Sequence, residues 1–286
     1  MDLIITPQIE ALLKMALEED IGPGDITTMS TIPAELQGKG LFRAKKDCVV
    51  AGLFLLPKIF SLVDEGVRVQ SLSRDGNAVR QGTVVAEAEG AVRALLMVER
   101  TALNFLQRLS GTATLTRRYV EALKGSSSRL IDTRKTTPGL RALQKYAVRM
   151  GGGGNHRVGL FDAALIKDNH IAAAGSLTQA VEAVRRQAPF MAKVEVECGN
   201  LEQVREAIEA RADVIMLDNM KPPQMAEAVR LVNKRAWVEA SGGIDLENLR
   251  EVAATGVDFI SVGALTHSAP AADFNMKITP SQPGKK

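Results

Sequence analysis

The second part of this 286-residue chain alternates short apolar runs with amphipathic segments, and this alternation constrains the fold more than any other feature. Helical spacing of apolar residues predicts helices near 139–150, 176–187, 201–210, 222–233 and 246–255. Repeated β-α units with right-handed crossovers predict a parallel sheet that is closed, or nearly closed, into a barrel. Its strands are the six apolar runs at 130–131, 163–166, 194–196, 214–217, 237–238 and 259–262.

The first part of the chain has a different pattern, in which short strands come before one long helix. Apolar spacing predicts a helix over residues 1–20. Runs at 40–50, 66–72 and 83–88 are typical of strands, and 94–124 is typical of a helix with Arg100 on its polar face. The alternating tail at 273–279 predicts a strand that returns to this first part.

Composition describes an ordinary globular protein, with 45% hydrophobic and 24% charged residues. A net charge of +3 and eleven aromatic residues give little support for nucleic-acid binding. Two cysteines far apart in sequence favour a reducing compartment. Met1-Asp2-Leu3 does not begin a signal peptide, and the apolar run at 49–56 is too short for a bilayer. We therefore expect a cytoplasmic protein with no membrane or nucleic-acid partner.

Positive charge is concentrated in one stretch of the chain. Residues 129–170 hold eight Lys and Arg against three Asp, a net charge of +5, so the rest of the chain carries −2 of the overall +3. A basic run is often only a solvated face. Like charges packed together repel unless an anion occupies the site. The stretch therefore predicts a ligand with several phosphate or carboxylate groups.

Each predicted barrel strand is followed by polar or glycine residues. Active sites of β/α barrels lie at these carboxyl ends, where the loops converge. Arginine suits carboxylates and phosphates, and glycine turns at the last two strands suit a phosphate group. The candidate residues, strand by strand, are Thr133, Arg134 and Lys135; Lys167; Glu197; Asp218; Ser241, Gly242 and Gly243; and Ser261, Gly263 and Ala264.

Two of these candidates, Glu197 and Asp218, are carboxylates suited to Mg²⁺, directly or through its waters. Glu195 lies on the same face of its strand as Glu197, so the choice between them stays open, with Glu197 preferred because it is nearer the strand end. A further candidate pair, His156 and Arg157, follows a glycine run at 151–154 that ends a helix. A purely structural role for His156 is the alternative.

These residues lie in motifs that resemble the quinolinate phosphoribosyltransferase family. The motif at 132–141 is highly specific, and the resemblance runs from the first helix almost to the end of the chain. One departure is Cys198-Gly199-Asn200, after the glutamate strand. The matching segments are DTRKTTPGLR at 132–141, GGGNHR at 152–157, LIKDNH at 165–170, MLDNM at 216–220, SVGALTHS at 261–268, EDIGPGDITT at 19–28 and ERT at 99–101.

The resemblance implies an α/β fold with an N-terminal α/β sandwich-like domain and an incomplete, seven-stranded α/β barrel. We expect the first domain at 1–110, joined by a C-terminal strand within 270–286, and the catalytic barrel at 111–269. The family also implies a homodimer, in some members assembled to a hexamer, in which one subunit's N-terminal domain covers the barrel mouth of the other. Arg100, a solvated position by sequence alone, would then reach the neighbouring site.

The implied reaction joins quinolinate to 5-phosphoribosyl 1-pyrophosphate and releases pyrophosphate and CO₂, giving nicotinate mononucleotide for NAD synthesis. Arg134, His156, Arg157 and the partner's Arg100 would bind the quinolinate carboxylates. Lys135, Glu197 and Asp218 are the expected catalytic residues, with Lys135 between the two substrates. Lys167, Glu197 and Asp218 would hold ribose and pyrophosphate through Mg²⁺, and the turns after Ser241 and Ser261 the phosphates.

Three alternatives stay open from the sequence. One is a paralogue of the same fold with a different acceptor. The second is a barrel lyase that uses Lys167 as a Schiff-base amine. The third is a basic nucleic-acid-binding protein.

Overall fold

This computed structural model describes residues 4–281. The first helix begins after Thr6, whose hydroxyl accepts a hydrogen bond from the Ile9 amide at 3.3 Å. A proline at its first turn supports the start of the helix because proline lacks the amide hydrogen that would go unused there. The elements that follow are short until one long helix. In chain order they are α1 (Pro7–Ile21), α2 (Ile26–Thr31), β1 (Gln37–Ala44), β2 (Cys48–Val49), a 3₁₀ turn (Leu53–Leu55), α3 (Leu56–Ser61), β3 (Arg68–Ser71), β4 (Ala78–Val79), β5 (Val84–Ala91) and α4 (Val92–Ala122).

Strands and helices then alternate to the end of the described chain. The sequence predicts this alternation, but among the described residues four short helices of the fold are not predicted: the second, third, sixth and eleventh. The elements are β6 (Arg129–Ile131), α5 (Arg141–Gly151), β7 (Ala164–Ile166), α6 (Asp168–Ala174), α7 (Leu177–Gln187), β8 (Val194–Cys198), α8 (Leu201–Glu209), β9 (Val214–Asp218), α9 (Pro222–Val232), β10 (Trp237–Ser241), α10 (Leu249–Ala254), β11 (Phe259–Ser261), α11 (Ala264–His267) and β12 (Phe274–Pro280).

The chain divides into two compact units. One holds the described chain up to Leu115, the segment Arg149–Gly152, and the described residues from Ala269 on. Its main sheet is antiparallel, in the order β12-β1-β5-β3. Of the expected ranges 1–110 and 270–286, residues 1–3 and 282–286 lie outside the described residues.

The predicted strand at 40–50 is wrong in its continuity. It is two strands, β1 and β2, separated by a bend at 45–47. Asp47 stabilises this bend because its carboxylate accepts a hydrogen bond from the Gln81 amide at 2.8 Å and pairs with Arg80 at 3.0 Å. A polar bend of this kind cannot continue the pleat of a buried strand.

The second unit, residues 116–148 and 153–268, contains the parallel sheet. Its strand order is β6-β11-β10-β9-β8-β7, and the sheet stays open between the two edge strands. On the outer side of β6, Ile131 and Gly154 form a single parallel bridge in place of a seventh strand. The arrangement confirms the predicted α/β fold with an incomplete barrel, and its six full strands are the six apolar runs in the sequence.

Two further observations concern the chain as a whole. Within residues 4–281, no helix combines the length and the apolar character that crossing a membrane requires. Cys48 and Cys198 are both buried and unbridged. Burial raises the pKa of the Cys198 thiol to about 12, so this side chain stays a neutral packing group.

Candidate active site

A cavity of about 220 Å³ opens at the carboxyl ends of the barrel strands. A larger hollow of about 1050 Å³ lies at the opposite, amino ends of the strands, beside Asp213, Trp237 and Asp258. The smaller cavity is the candidate site, because active sites of β/α barrels lie at the carboxyl ends of the strands. All of its lining belongs to the second unit. Its lining residues are Thr133, Arg134, Lys135, His156, Arg157, Leu165, Lys167, Glu197, Met216, Asp218, Glu239, Ser241 and Ser261.

Strand pleating explains why these side chains meet. Successive residues of a strand point to opposite faces, so every second residue faces the barrel interior. In β8, Val194, Val196 and Cys198 pack outward, whereas Glu195 and Glu197 face inward. The register places Asp218 of β9 opposite Ser241 of β10, which brings the polar strand ends to one level.

Glu197 and Asp218 lie on neighbouring strands and have different partners. Glu197 accepts a short hydrogen bond from the Lys167 ammonium. Asp218 accepts a bond from the Asn219 side-chain amide at 2.8 Å, and the Asn219 backbone amide donates to the Ser241 carbonyl at 2.9 Å. Asn219 therefore connects the ends of β9 and β10 and orients the Asp218 carboxylate.

Gly242 makes this connection possible. Its φ of +98° is rarely adopted by other residues, and a Cβ atom there would lie 2.3 Å from the Asn219 side-chain oxygen. The turn after Ser241 therefore requires glycine for close backbone approach. No helix starts directly at this turn, since the next helix, α10, begins at Leu249. The turn after β11 differs, because α11 begins directly after Gly263.

Two arginines present the largest unsatisfied positive charge in the cavity. The Nε atoms of Arg134 and Arg157 are buried, and neither has a hydrogen-bond partner within residues 4–281. Arg157 donates through Nη1 to the Ala163 carbonyl at 3.1 Å. Burial, and then the nearby Arg134 charge, lower the pKa of Arg157. An anion that accepts from both guanidinium groups would relieve this repulsion.

Asp132 anchors the segment that carries His156. It is fully buried and accepts three hydrogen bonds, from Lys145 Nζ at 2.5 Å, the Asn155 side-chain amide at 2.7 Å and the His156 amide at 2.8 Å. Lys145 also donates to the His156 carbonyl at 2.9 Å. One buried ion pair thus holds the end of β6, helix α5 and the segment after Gly154 together.

His156 faces two buried glutamates. Its Nε2 lies 3.0 Å from a Glu195 oxygen and 3.5 Å from a Glu239 oxygen. Burial opposes a charged imidazole, but the bond to Glu195 and the Glu239 charge raise the pKa of His156 overall. The Arg157 amide, however, donates to Nδ1 at 2.7 Å and blocks a second ring proton. The geometry therefore favours a neutral ring with its hydrogen on Nε2, donating to Glu195.

The same three side chains have the spacing of a metal site, with ligand atoms within 4.8 Å of one another. The tautomer argues against one, because an Nε2 that carries hydrogen cannot ligate a metal. A proton on Glu239 relieves the repulsion between the two carboxylates instead. Burial, with the neighbouring Glu195 charge, raises the pKa of Glu239 to about 8.

The loop after β6 positions Lys135. Its amide donates to the Thr133 hydroxyl at 3.0 Å, and its carbonyl accepts from the Thr266 hydroxyl at 2.7 Å. Gly263 lies against the Lys135 side chain, since a Cβ atom at that glycine would be 2.9 Å from Cδ. The last barrel turn therefore shapes the path of the Lys135 ammonium.

The structure brings most of the predicted residues to the cavity. Gly242 and Gly243 directly follow the lining residue Ser241, whereas Val262 separates Gly263 and Ala264 from the lining residue Ser261. Arg100 is the exception: it is exposed on α4 in the first unit and is not part of the lining. The lining residues that had been predicted are Thr133, Arg134, Lys135, His156, Arg157, Lys167, Glu197, Asp218, Ser241 and Ser261.

The sequence did not identify Glu239 as a site residue. Glu239 is two positions before Ser241 and so shares its inward face, a signal available from strand parity. Only part of the +5 stretch faces the cavity. Lys145 neutralises Asp132, and Arg141 donates to the carbonyls of Val158 and Arg134 at 3.2 and 3.3 Å. Four of the eight cations line the cavity.

Comparison with known proteins bears on this geometry. Residues 25–110 match the family model described as quinolinate phosphoribosyl transferase, N-terminal domain, and residues 112–277 match the corresponding C-terminal domain. A probable nicotinate-nucleotide pyrophosphorylase (carboxylating) from Synechocystis is 47% identical over 94% of this chain and 92% of its own. One from Bacillus subtilis is 47% identical over 95% and 94%.

A solved structure agrees over the whole length. The crystal structure described as NadC from Streptococcus pyogenes superposes with a TM-score of 0.94 at 44% identity, covering 99% of this chain and 100% of its own. The quinolinate phosphoribosyltransferase (decarboxylating) 2b of Nicotiana tabacum is 41% identical over 96% of this chain and 83% of its own.

Proposed function

This chain belongs to the quinolinate phosphoribosyltransferase family and is a pentosyltransferase, and we propose that its cavity carries out the decarboxylating reaction of that family. Quinolinate and 5-phosphoribosyl 1-pyrophosphate are the substrates. Nicotinate mononucleotide, pyrophosphate and CO₂ are the products, and nicotinate mononucleotide is used for NAD synthesis. The observation that carries the residue assignment is the pair of buried, unpartnered Nε groups of Arg134 and Arg157 in the same cavity.

Quinolinate binds on the arginine side of the cavity. Its two adjacent carboxylates match two guanidinium groups whose buried Nε donors otherwise lack acceptors in the described chain. His156 completes this side and is held by Asp132 and Glu195. The dicarboxylate accepts hydrogen bonds from the Nε groups of Arg134 and Arg157.

The phosphoribosyl substrate binds on the carboxylate side. Lys167, Glu197 and Asp218 face it from three strands, and Lys135 stands between the two substrates. Ser241 and Ser261, with the turns through Gly243 and Ala264, receive the phosphate groups. Positioning of the two substrates and neutralisation of the departing pyrophosphate supply most of the catalysis.

Mg²⁺ fits the carboxylate side by donor chemistry. Glu197 and Asp218 lie on neighbouring strands and line the same cavity, and each offers the oxygen ligands that this ion prefers. Bound there, directly or through its waters, the ion would neutralise pyrophosphate charge. Lys167 already pairs with Glu197, which fixes the direction of this carboxylate in the cavity.

A homodimer with shared active sites completes the proposal, with hexamers as a further assembly. Arg100 is exposed on α4 and is available to a second subunit, where it would add a third guanidinium to the quinolinate site. We also place the protein in the cytoplasm, because two buried, unbridged cysteines suit a reducing compartment.

Acceptor competition tests the function directly. The purified protein is incubated with 5-phosphoribosyl 1-pyrophosphate, Mg²⁺, and equal amounts of quinolinate and nicotinate, each with a different isotope label. We expect nicotinate mononucleotide to carry only the label of quinolinate. Turnover of nicotinate without turnover of quinolinate would indicate a paralogue with another acceptor and would overturn the proposal.

A further inference from the structure

The proposed reaction requires a proton, and none of the residue roles given above supplies it. When the C2 carboxylate leaves as CO₂, the electron pair of the broken bond stays on C2, beside the positively charged ring nitrogen. Nicotinate mononucleotide carries hydrogen at that carbon. A proton donor must therefore lie in the cavity, close to the bound pyridine ring.

Glu239 has the position of such a donor. It is 2% exposed at the centre of β10, yet it lines the cavity together with Arg134 and Arg157. One of its oxygens, Oε1, is buried without a hydrogen-bond partner within residues 4–281. A buried carboxyl with a vacant oxygen at the floor of a substrate cavity can form or lose a hydrogen bond as the substrate changes.

The groups around Glu239 keep a proton in place. Glu195 faces it from β8 and is itself an acceptor for His156. Ser261 faces it from β11 and is hydrogen-bonded to it, and its register neighbour on β9 is the uncharged Met216. A carboxylate beside another buried carboxylate is unfavourable, so one of the two sites holds hydrogen.

We propose that Glu239 donates to C2 the proton that takes the place of CO₂. The C2–carboxylate bond breaks with its electron pair on C2, the Glu239 O–H bond breaks with its pair on oxygen, and a C2–H bond forms. Glu239 is left as a carboxylate, and water restores its proton before the next turnover. The inference rests on the proposed function and adds a catalytic residue to it.

The titration of Glu239 agrees with this role. Its pKa of about 8 leaves it protonated at neutral pH, as a general acid requires. His156 is a weaker candidate because its Nε2 hydrogen is engaged by Glu195. The step that protonates C2 should therefore lose rate as the pH rises through about 8, whereas pyrophosphate release should not.

The test separates the two halves of the reaction in single-turnover experiments. In Glu239→Gln we expect pyrophosphate release within about threefold of the unmodified protein, and nicotinate mononucleotide formation slowed by about 100-fold or more. The alkaline loss of rate near pH 8 should disappear. Glu202→Gln, the same change on the exposed surface of α8, is the matched control and should leave both rates unchanged.

Three results would overturn the proposal: equal slowing of both steps, unchanged mononucleotide formation, or an alkaline limb that persists in the variant. If Glu239→Gln does not fold, the pH dependence of mononucleotide formation by the unmodified protein tests the role of Glu239. Mononucleotide formation that is independent of pH between 7 and 9.5 would contradict the role of Glu239. A failure of the proposed function is distinguishable, because the unmodified protein would then release no pyrophosphate with quinolinate.

Discussion

Single residues at the floor of the cavity have properties that burial and charge produce together. The Nε donors of Arg134 and Arg157 are buried and have no acceptor among residues 4–281. A buried donor without an acceptor carries an unfavourable desolvation free energy, and a bound carboxylate offsets this by accepting its hydrogen bond. The arginine pair therefore accounts for affinity towards a dicarboxylate in particular.

Arg157→Ala tests this account of the dicarboxylate site. Loss of a charge-assisted hydrogen bond should raise the KM for quinolinate by about 10- to 100-fold, with a smaller effect on the KM for the phosphoribosyl substrate. Steady-state kinetics measure both constants. Arg186→Ala, at an exposed position on α7, is the control, and an unchanged KM for quinolinate in Arg157→Ala would remove this residue from the site.

Gly242→Ala should show that the turn after β10 requires glycine. The added Cβ meets Asn219 and the backbone keeps a φ of +98°, so we expect a loss of about 1–3 kcal/mol of stability together with weaker activity through Asp218. Thermal unfolding measures the loss. Gly199→Ala is the matched control because its nearest neighbour lies at 3.7 Å, and equal melting temperatures for the two variants would contradict the argument.

Sequence reasoning finds residues of this kind unevenly. Arg134, Lys167 and Asp218 are predictable because they follow apolar runs, and strand ends of a barrel converge. Lys145 is not distinguishable from a ligand-binding cation by sequence, since its neutralisation depends on Asp132, thirteen positions away, being buried beside it. Glu239 lies inside a strand, and the sequence marks it only by its inward parity with Ser241.

Among the elements, the segment after Gly154 depends most on a single interaction. It adds one bridge to β6, and the Asp132 carboxylate holds it against α5 through Lys145 and Asn155. The sequence predicts the six full strands because each is an apolar run. It does not predict this segment, which is polar and is ordered by a buried ion pair instead of by a sheet.

Asp132→Ala should release that segment. Removing one partner of a buried pair leaves the Lys145 ammonium uncompensated, so we expect a loss of about 3–5 kcal/mol in the free energy of unfolding. Denaturant unfolding measures it. Asp258→Ala, which removes a carboxylate from the opposite end of the barrel, serves as the comparison, and a loss below about 1 kcal/mol for Asp132→Ala would contradict the anchoring role.

At the scale of the whole molecule, the proposed homodimer would complete each site with Arg100 of the neighbouring subunit. The cavity residues lie in one unit and Arg100 in the other, on an exposed face of α4. The family resemblance predicts that Arg100 serves the neighbouring subunit. A sequence of one chain cannot show this pairing, because a residue that binds across an interface looks the same as one that faces solvent.

Mixed dimers test the shared site. The Arg100→Ala and Arg157→Ala proteins should each have low activity alone. A dimer with one copy of each variant has one intact site, because that site combines an unchanged Arg157 with an unchanged Arg100 from the other subunit. After random exchange of subunits we expect about a quarter of the unmodified activity. Activity no higher than the mean of the separate variants, with exchange verified by native mass spectrometry, would show that each chain uses its own Arg100 or none.

The most direct measurement of the central claim is the stoichiometry of products from quinolinate labelled in the C2 carboxylate. The account predicts equal amounts of labelled CO₂, pyrophosphate and nicotinate mononucleotide when the protein is incubated with 5-phosphoribosyl 1-pyrophosphate and Mg²⁺. Pyrophosphate without labelled CO₂, or no pyrophosphate at all, would contradict it.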